Sequence, residues 1–191
     1  MLLISHRGMY DKEIKENTYC AIKNALESND YVGVEFDVRA TLDNEFIIYH
    51  DNMFNKKLIS NTLYKELPKY VPRLEDILRI KSDKIFLIEI KNINNKYDEF
   101  IKQLEKHKDK KIYVTSFSNK IIKKLDNRER KYKIGILNYV LNTSELVKDL
   151  DFVCVLNSLI NKKIILSLKG KEIFSYGGFL NKSYLDIYYI V

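Results

Sequence analysis

Apolar residues along the chain fall into short runs, and the stretches between them repeat apolar positions every three or four residues. Runs of four to eight residues rich in Ile, Val, Leu and Tyr predict strands, and the intervening stretches predict amphipathic helices. "MLLIS" leads into the helical "TYCAIKNALES", and "VGVEFDV" leads through a loop into "EFIIYH". After the proline-bounded "PRLEDILRI", the strand "KIFLIEIK" precedes helix "KYDEFIKQLEKH", "KIYVTSF" precedes "SNKIIKKLDNR", and "KIGILN" precedes "TSELVKDL". Three last runs, "DFVCVLNSLI", "EIFSYG" and "DIYYIV", are separated by shorter pieces.

With "EFIIYH" counted as a continuation of "VGVEFDV", there are eight strand units, the number that closes a parallel barrel. Residues 1–191 are therefore expected to form a single domain, an α/β protein with a compact (β/α)8 TIM barrel. Such barrels usually need about 250 residues, so a chain of 191 predicts shortened helices, above all in the second half. An open doubly wound sheet is the alternative, but no glycine-rich phosphate turn follows an early strand. The sequence also lacks long linkers and low-complexity tracts.

Two of the strands carry charge where a buried strand should have none. Glu35 and Asp37 in "VGVEFDV" are two residues apart and share one face, while Val34, Phe36 and Val38 share the other. "FLIEIK" repeats the pattern, with Glu89 and Lys91 on one face and Ile88 and Ile90 on the other. One such pair would fit a strand with a wet face, but parallel barrel strands have no wet face. Buried charges must be paired or bind a cation. Three converging carboxylates form a hard oxygen site suited to calcium or magnesium, with Lys91 balancing charge.

Three histidines occur in the chain. His6 ends the first apolar run and is followed by Arg7; His50 ends "EFIIYH" and is followed by Asp51. Catalytic groups of β/α barrels gather at the carboxyl ends of strands, so His6 and His50 are expected to flank a reacting group as general acid and general base. His107, among lysines in "KHKDKK", is expected at the surface. Gly8 allows a sharp turn after the first strand, and Asn17 or Thr18 can cap the helix that follows. Glu16 either reaches the site or simply favours the amino end of that helix.

Composition adds few constraints. Lysine and arginine number 33 against 26 aspartates and glutamates, a net +7. Most of the excess is lysine scattered through helical segments, as on a solvated surface. That charge also admits peripheral contact with an anionic membrane, but no zinc-finger spacing or aromatic RNA-binding signature marks specific nucleic-acid recognition. No window has the length of a membrane span and the start lacks a signal-peptide core, so a cytoplasmic location is expected. Cys20 and Cys154 lie far apart without metal-type spacing, and both are expected to be reduced and buried.

The ordered set of "HRG" and "ENT", "VEFDVRATLDNEFIIYHD", "VPRLEDIL", "FLIEIK" and "VTSFS" resembles the glycerophosphodiester phosphodiesterases. The resemblance implies a metal-dependent barrel enzyme of lipid metabolism that cleaves glycerophosphodiesters to glycerol 3-phosphate and an alcohol. It implies that Glu35, Asp37 and Glu89 bind the ion, and that His6 and His50 form the acid–base pair. It further implies that Arg7 and Lys91 contact phosphate, with Glu16 and Asn17 in supporting positions at the substrate. Departures come late: Tyr176 in "IFSYGG" stands where the family usually has a tryptophan-containing strand, and "DIYYIV" replaces the usual acidic-proline ending. They bear on the choice of alcohol more than on the metal chemistry. A lysophospholipase D or sphingomyelinase D type of lipid phosphodiesterase is the alternative enzyme. A barrel that only binds phospho-ligands or membrane surfaces is the non-catalytic alternative.

Overall fold

A computed structural model describes residues 1–126, 129–138, 149–168, 170–177, 184 and 186–191. In chain order its strands are β1 (Leu2–His6), β2 (Gly33–Ala40), β3 (Phe46–Ile48), β4 (Met53–Phe54), β5 (Lys57–Leu58), β6 (Ile85–Asn92), β7 (Lys111–Ser116), β8 (Lys133–Asn138), β9 (Phe152–Leu156), β10 (Glu172–Tyr176) and β11 (Tyr188–Ile190). The helices are α1 (Tyr19–Glu27), α2 (Leu74–Leu78), α3 (Tyr97–Glu105), α4 (Asn119–Leu125) and α5 (Lys162–Ser167).

Eight strands pair in parallel around a closed ring, β1-β2-β6-β7-β8-β9-β10-β11, and β11 returns to β1. This is the expected β/α barrel. β3 lies outside the ring and pairs antiparallel with the carboxyl end of β2, Val38 opposite Ile48. This is the run "EFIIYH" that the sequence reading counts as a continuation of "VGVEFDV"; hydrophobic alternation cannot report strand direction, so its antiparallel return has no signature there. Helices are short in the second half as expected, α4 with seven residues and α5 with six, and α2 in the first half is shorter still with five. The expected helix in "TSELVKDL" falls largely on residues outside those described.

Alternation along the strands divides the core in two. Val34, Phe36, Val38, Ile88 and Ile90 face outward and pack with Ile22, Phe100 and other helix residues in one large cluster. Ile4, Leu87, Phe152, Cys154 and Phe174 face inward and fill the barrel. Below them, at the amino ends of the strands, Tyr113 donates to Glu172 at 3.1 Å and Lys133 reaches Glu172 at 2.5 Å. An apolar plug thus supports a polar mouth at the opposite end. No helix among the described residues is long and apolar enough to cross a membrane.

Candidate active site

Local chain geometry fixes the first part of the mouth. β1 delivers His6 opposite Glu35 in register, and the chain then turns through Arg7 (φ 58°) and Gly8 (φ 87°). The turn is tight enough that a Cβ on Gly8 would lie 2.5 Å from the Ala21 carbonyl carbon, so only glycine fits there. Arg7 donates its N–H to the Glu35 carbonyl at 2.9 Å, Asn17 donates to the Arg7 carbonyl at 2.9 Å, and Met9 donates to the Ala21 carbonyl at 2.9 Å. The loop is therefore tied to both β2 and α1. Thr18, rather than Asn17, caps α1, its hydroxyl accepting from the Ala21 N–H at 3.3 Å.

The inward faces of β2 and β6 supply the acids, with Asp37 opposite Glu89. Glu35, Asp37 and Glu89 are 4%, 1% and 7% exposed, and each offers an oxygen within 4.8 Å of the others. Burial, then the neighbouring Asp37 and Glu89 carboxylates, push the Glu35 carboxyl well above its ordinary range. Burial raises Glu89 as well, against the opposing pull of Lys91. Two cations lean on the cluster. Lys91 Nζ lies 2.6 Å from Glu89 and 3.2 Å from Asp37, and Arg7 Nε lies 3.3 Å from Asp37. Burial works against the Lys91 charge, but Asp37 and Glu89 outweigh it and the net shift is upward. The donor set consists of carboxylate oxygens whose mutual repulsion a divalent cation would relieve, so these residues fit such an ion.

Supporting contacts orient the set. Arg7 Nη1 donates to Glu16 at 2.7 Å, which places Glu16 on the guanidinium at the edge of the mouth. Asn17 is 5% exposed and has both ends of its amide engaged by Asp37. Its contact is with the Asp37 carboxylate.

Both histidines reach the same cavity, a space of 190 Å³ that they line together with Glu35, Glu89, Lys91 and Tyr176. His6 Nε2 lies 3.9 Å from Glu35. Burial, then the adjacent Arg7 charge, hold its imidazolium below the usual histidine range. His50 arrives by a route that the sequence reading did not foresee. It follows antiparallel β3, which ends at Ile48, and so comes back to the rim from outside the barrel. Its Nδ1 sits 2.9 Å from Asp51, and its carbonyl accepts from Arg39 Nε at 2.9 Å. Sequence reasoning missed Arg39, although its place two residues after Asp37 marked the same inward face. It also missed Thr115, fully buried on β7 beside Glu89.

Two expectations for residues outside the site need correction. Cys20 is exposed in the first turn of α1, where it borders an outer groove; Cys154 is buried, and both thiols are free. His107 is partly buried against Glu75 at 3.4 Å rather than open to solvent.

Comparisons with known proteins point in one direction. The profile of the glycerophosphoryl diester phosphodiesterase family matches residues 6–99. A glycerophosphodiester phosphodiesterase structure from Agrobacterium tumefaciens aligns over 100% of this chain and 95% of its own, at 18% identity and TM-score 0.80. One from Thermotoga maritima aligns over 100% and 93%, at 23% identity and TM-score 0.76. A phosphodiesterase from Oleispira antarctica, solved with the product sn-glycerol-3-phosphate, aligns over 93% and 85%, at 17% identity and TM-score 0.78. At these identities the structural likenesses establish the barrel alone. No curated protein matches the sequence.

Proposed function

We propose that this chain, which belongs to the glycerophosphodiester phosphodiesterase family, hydrolyses small-molecule glycerophosphodiesters to glycerol 3-phosphate and an alcohol with the help of calcium or magnesium. The observation that carries the reading is the buried cluster of Glu35, Asp37 and Glu89, two of whose members, Glu35 and Glu89, line one 190 Å³ cavity with His6 and His50. In this reading the 191 residues act as one domain in the cytoplasm.

Glu35, Asp37 and Glu89 hold the ion. When bound, it supplies a Lewis acid that draws charge from a phosphate oxygen. Arg7 and Lys91, already at the edge of the cluster, bring positive charge to the remaining oxygens and to the charge that develops in the transition state. Asp37 and Glu16 keep the Arg7 guanidinium in place. One imidazole takes a proton from the attacking nucleophile, while the other protonates the alcohol oxygen as its bond to phosphorus breaks. Asp51 holds His50 by Nδ1, leaving Nε2 as the nitrogen that exchanges a proton with substrate. The apolar barrel floor of Leu87, Leu137 and Ile190 limits the depth of the cavity and strengthens these electrostatic contacts by excluding water.

Incubating the protein and either ion with glycerophosphocholine should release glycerol 3-phosphate and choline. His6→Ala and His50→Ala should each lower kcat by about 10²–10⁴-fold while circular dichroism stays unchanged. A variant that keeps wild-type turnover would remove its histidine from the mechanism.

A further inference from the structure

The mouth continues outward past His50. Tyr49, Tyr70 and Lys15 join His50 in lining a second space of 310 Å³, which adjoins the 190 Å³ reactive cavity at that histidine. Tyr70, Lys15 and Val71 also border a third, outer groove of 810 Å³, between the start of α1 and residues 64–79. Its other walls include Ile14, Tyr19, Tyr64 and Pro72 as well as the charged Glu13, Lys69, Asp76 and Arg79, and most of the surface it offers is apolar. At the neck the Lys15 ammonium lies over the Tyr70 ring, 4.2 Å from its centroid.

Volume and chemistry together suggest an occupant. The reactive cavity, at 190 Å³, has room for little more than the phosphoryl group and its glycerol. The outer spaces, at 310 and 810 Å³, lie on the His50 side, where one partner of the diester must extend. A cationic head would look for the Tyr70 face, and Lys15 already covers it. The chemistry that the groove adds is therefore the burial of apolar surface.

We propose that the groove running from His50 past Tyr70 to Tyr19 binds an apolar chain carried by the departing alcohol, so that diesters of long-chain alcohols are favoured over those of small ones. This inference rests on the hydrolytic reading above for the position of the diester, whereas the groove itself can be probed by binding alone.

Two probes test it: the methyl and octyl diesters of glycerol 3-phosphate, titrated calorimetrically into chelator-treated His50→Ala protein, whose lowered turnover leaves the diesters intact over a titration. The octyl diester should bind at least tenfold more tightly. Exposed Cys20 borders the outer groove, and Cys154 is 0% exposed, so a bulky maleimide should label Cys20 selectively. Labelling should abolish the octyl advantage and leave methyl binding unchanged, and Cys20→Ser should restore the advantage in maleimide-treated protein. Equal affinities for the two diesters, or an octyl advantage that survives labelling, would overturn the proposal. Failure of the wild-type protein to cleave either diester would count against the hydrolytic reading and leave the calorimetric answer on the groove intact.

Discussion

Asn17 and Asp37 hold each other at both ends. Asn17 Nδ2 donates to Asp37 Oδ2 at 2.8 Å, and the Asp37 backbone N–H donates back to Asn17 Oδ1 at 3.2 Å. The pair fixes the rotation of a carboxylate that is 1% exposed, and it does so from a residue whose own backbone is left-handed at φ 55°. Removing such an outer partner of a ligand typically weakens metal affinity by about 10–100-fold. Asn17→Ala should therefore need that much more calcium or magnesium to reach half-maximal thermal stabilisation, read from unfolding curves across a metal titration. Asn17→Asp should be worse, because it adds a fourth carboxylate to the cluster.

Gly8 offers a second test, of the turn that presents His6 and Arg7. Alanine there meets the Ala21 and Ile22 backbone at 2.5–2.7 Å while adopting φ 87°. Backbone strain of that kind amounts to about 1–3 kcal/mol, and the turn can relieve it only by moving. Gly8→Ala should lower the denaturant midpoint accordingly and depress kcat. Gly170→Ala, which also has a positive φ but no atoms within 4 Å of an added Cβ, should cost stability without a comparable loss of activity.

Stability should fall at alkaline pH through Tyr132. The residue is 3% exposed and its hydroxyl donates to the Leu125 carbonyl at 2.8 Å. Burial, then the nearby Glu105 charge, raise its phenol from 10.0 to about 12. The folded state therefore holds the phenolic proton more tightly than the unfolded chain does. Its contribution is intact below pH 10.0, declines as the unfolded chain ionises above it, and is gone once the folded phenol ionises near pH 12. Tyr132→Phe should lose about 1 kcal/mol at neutral pH and flatten the decline between those limits in urea titrations.

How far the sequence reached depended on what each signal encodes. Buried parallel strands read as continuous apolar runs, so all eight barrel strands were legible. The two-residue spacing within "VEFDV" and "FLIEIK" placed Glu35, Asp37 and Glu89 on inward faces. Spacing carries no direction, however, and the antiparallel return of β3 that brings His50 to the rim from outside had no signature. Spacing likewise put Arg39 on the face of Asp37, but its donation to the His50 carbonyl is a contact set by the fold. Cys20 was misread because helical periodicity marks the apolar stripe of α1 but not which of its positions border an open groove.

Everything proposed for the mouth depends on Glu35, Asp37 and Glu89 holding one divalent ion between them. Calorimetric titration of calcium, and separately of magnesium, into chelator-stripped protein measures this most directly, with Glu89→Gln as the comparison. Wild-type protein should bind a single ion per chain saturably, and the substitution should weaken that binding severely. No saturable binding of either ion to the wild-type protein, or undiminished binding by Glu89→Gln, would contradict it.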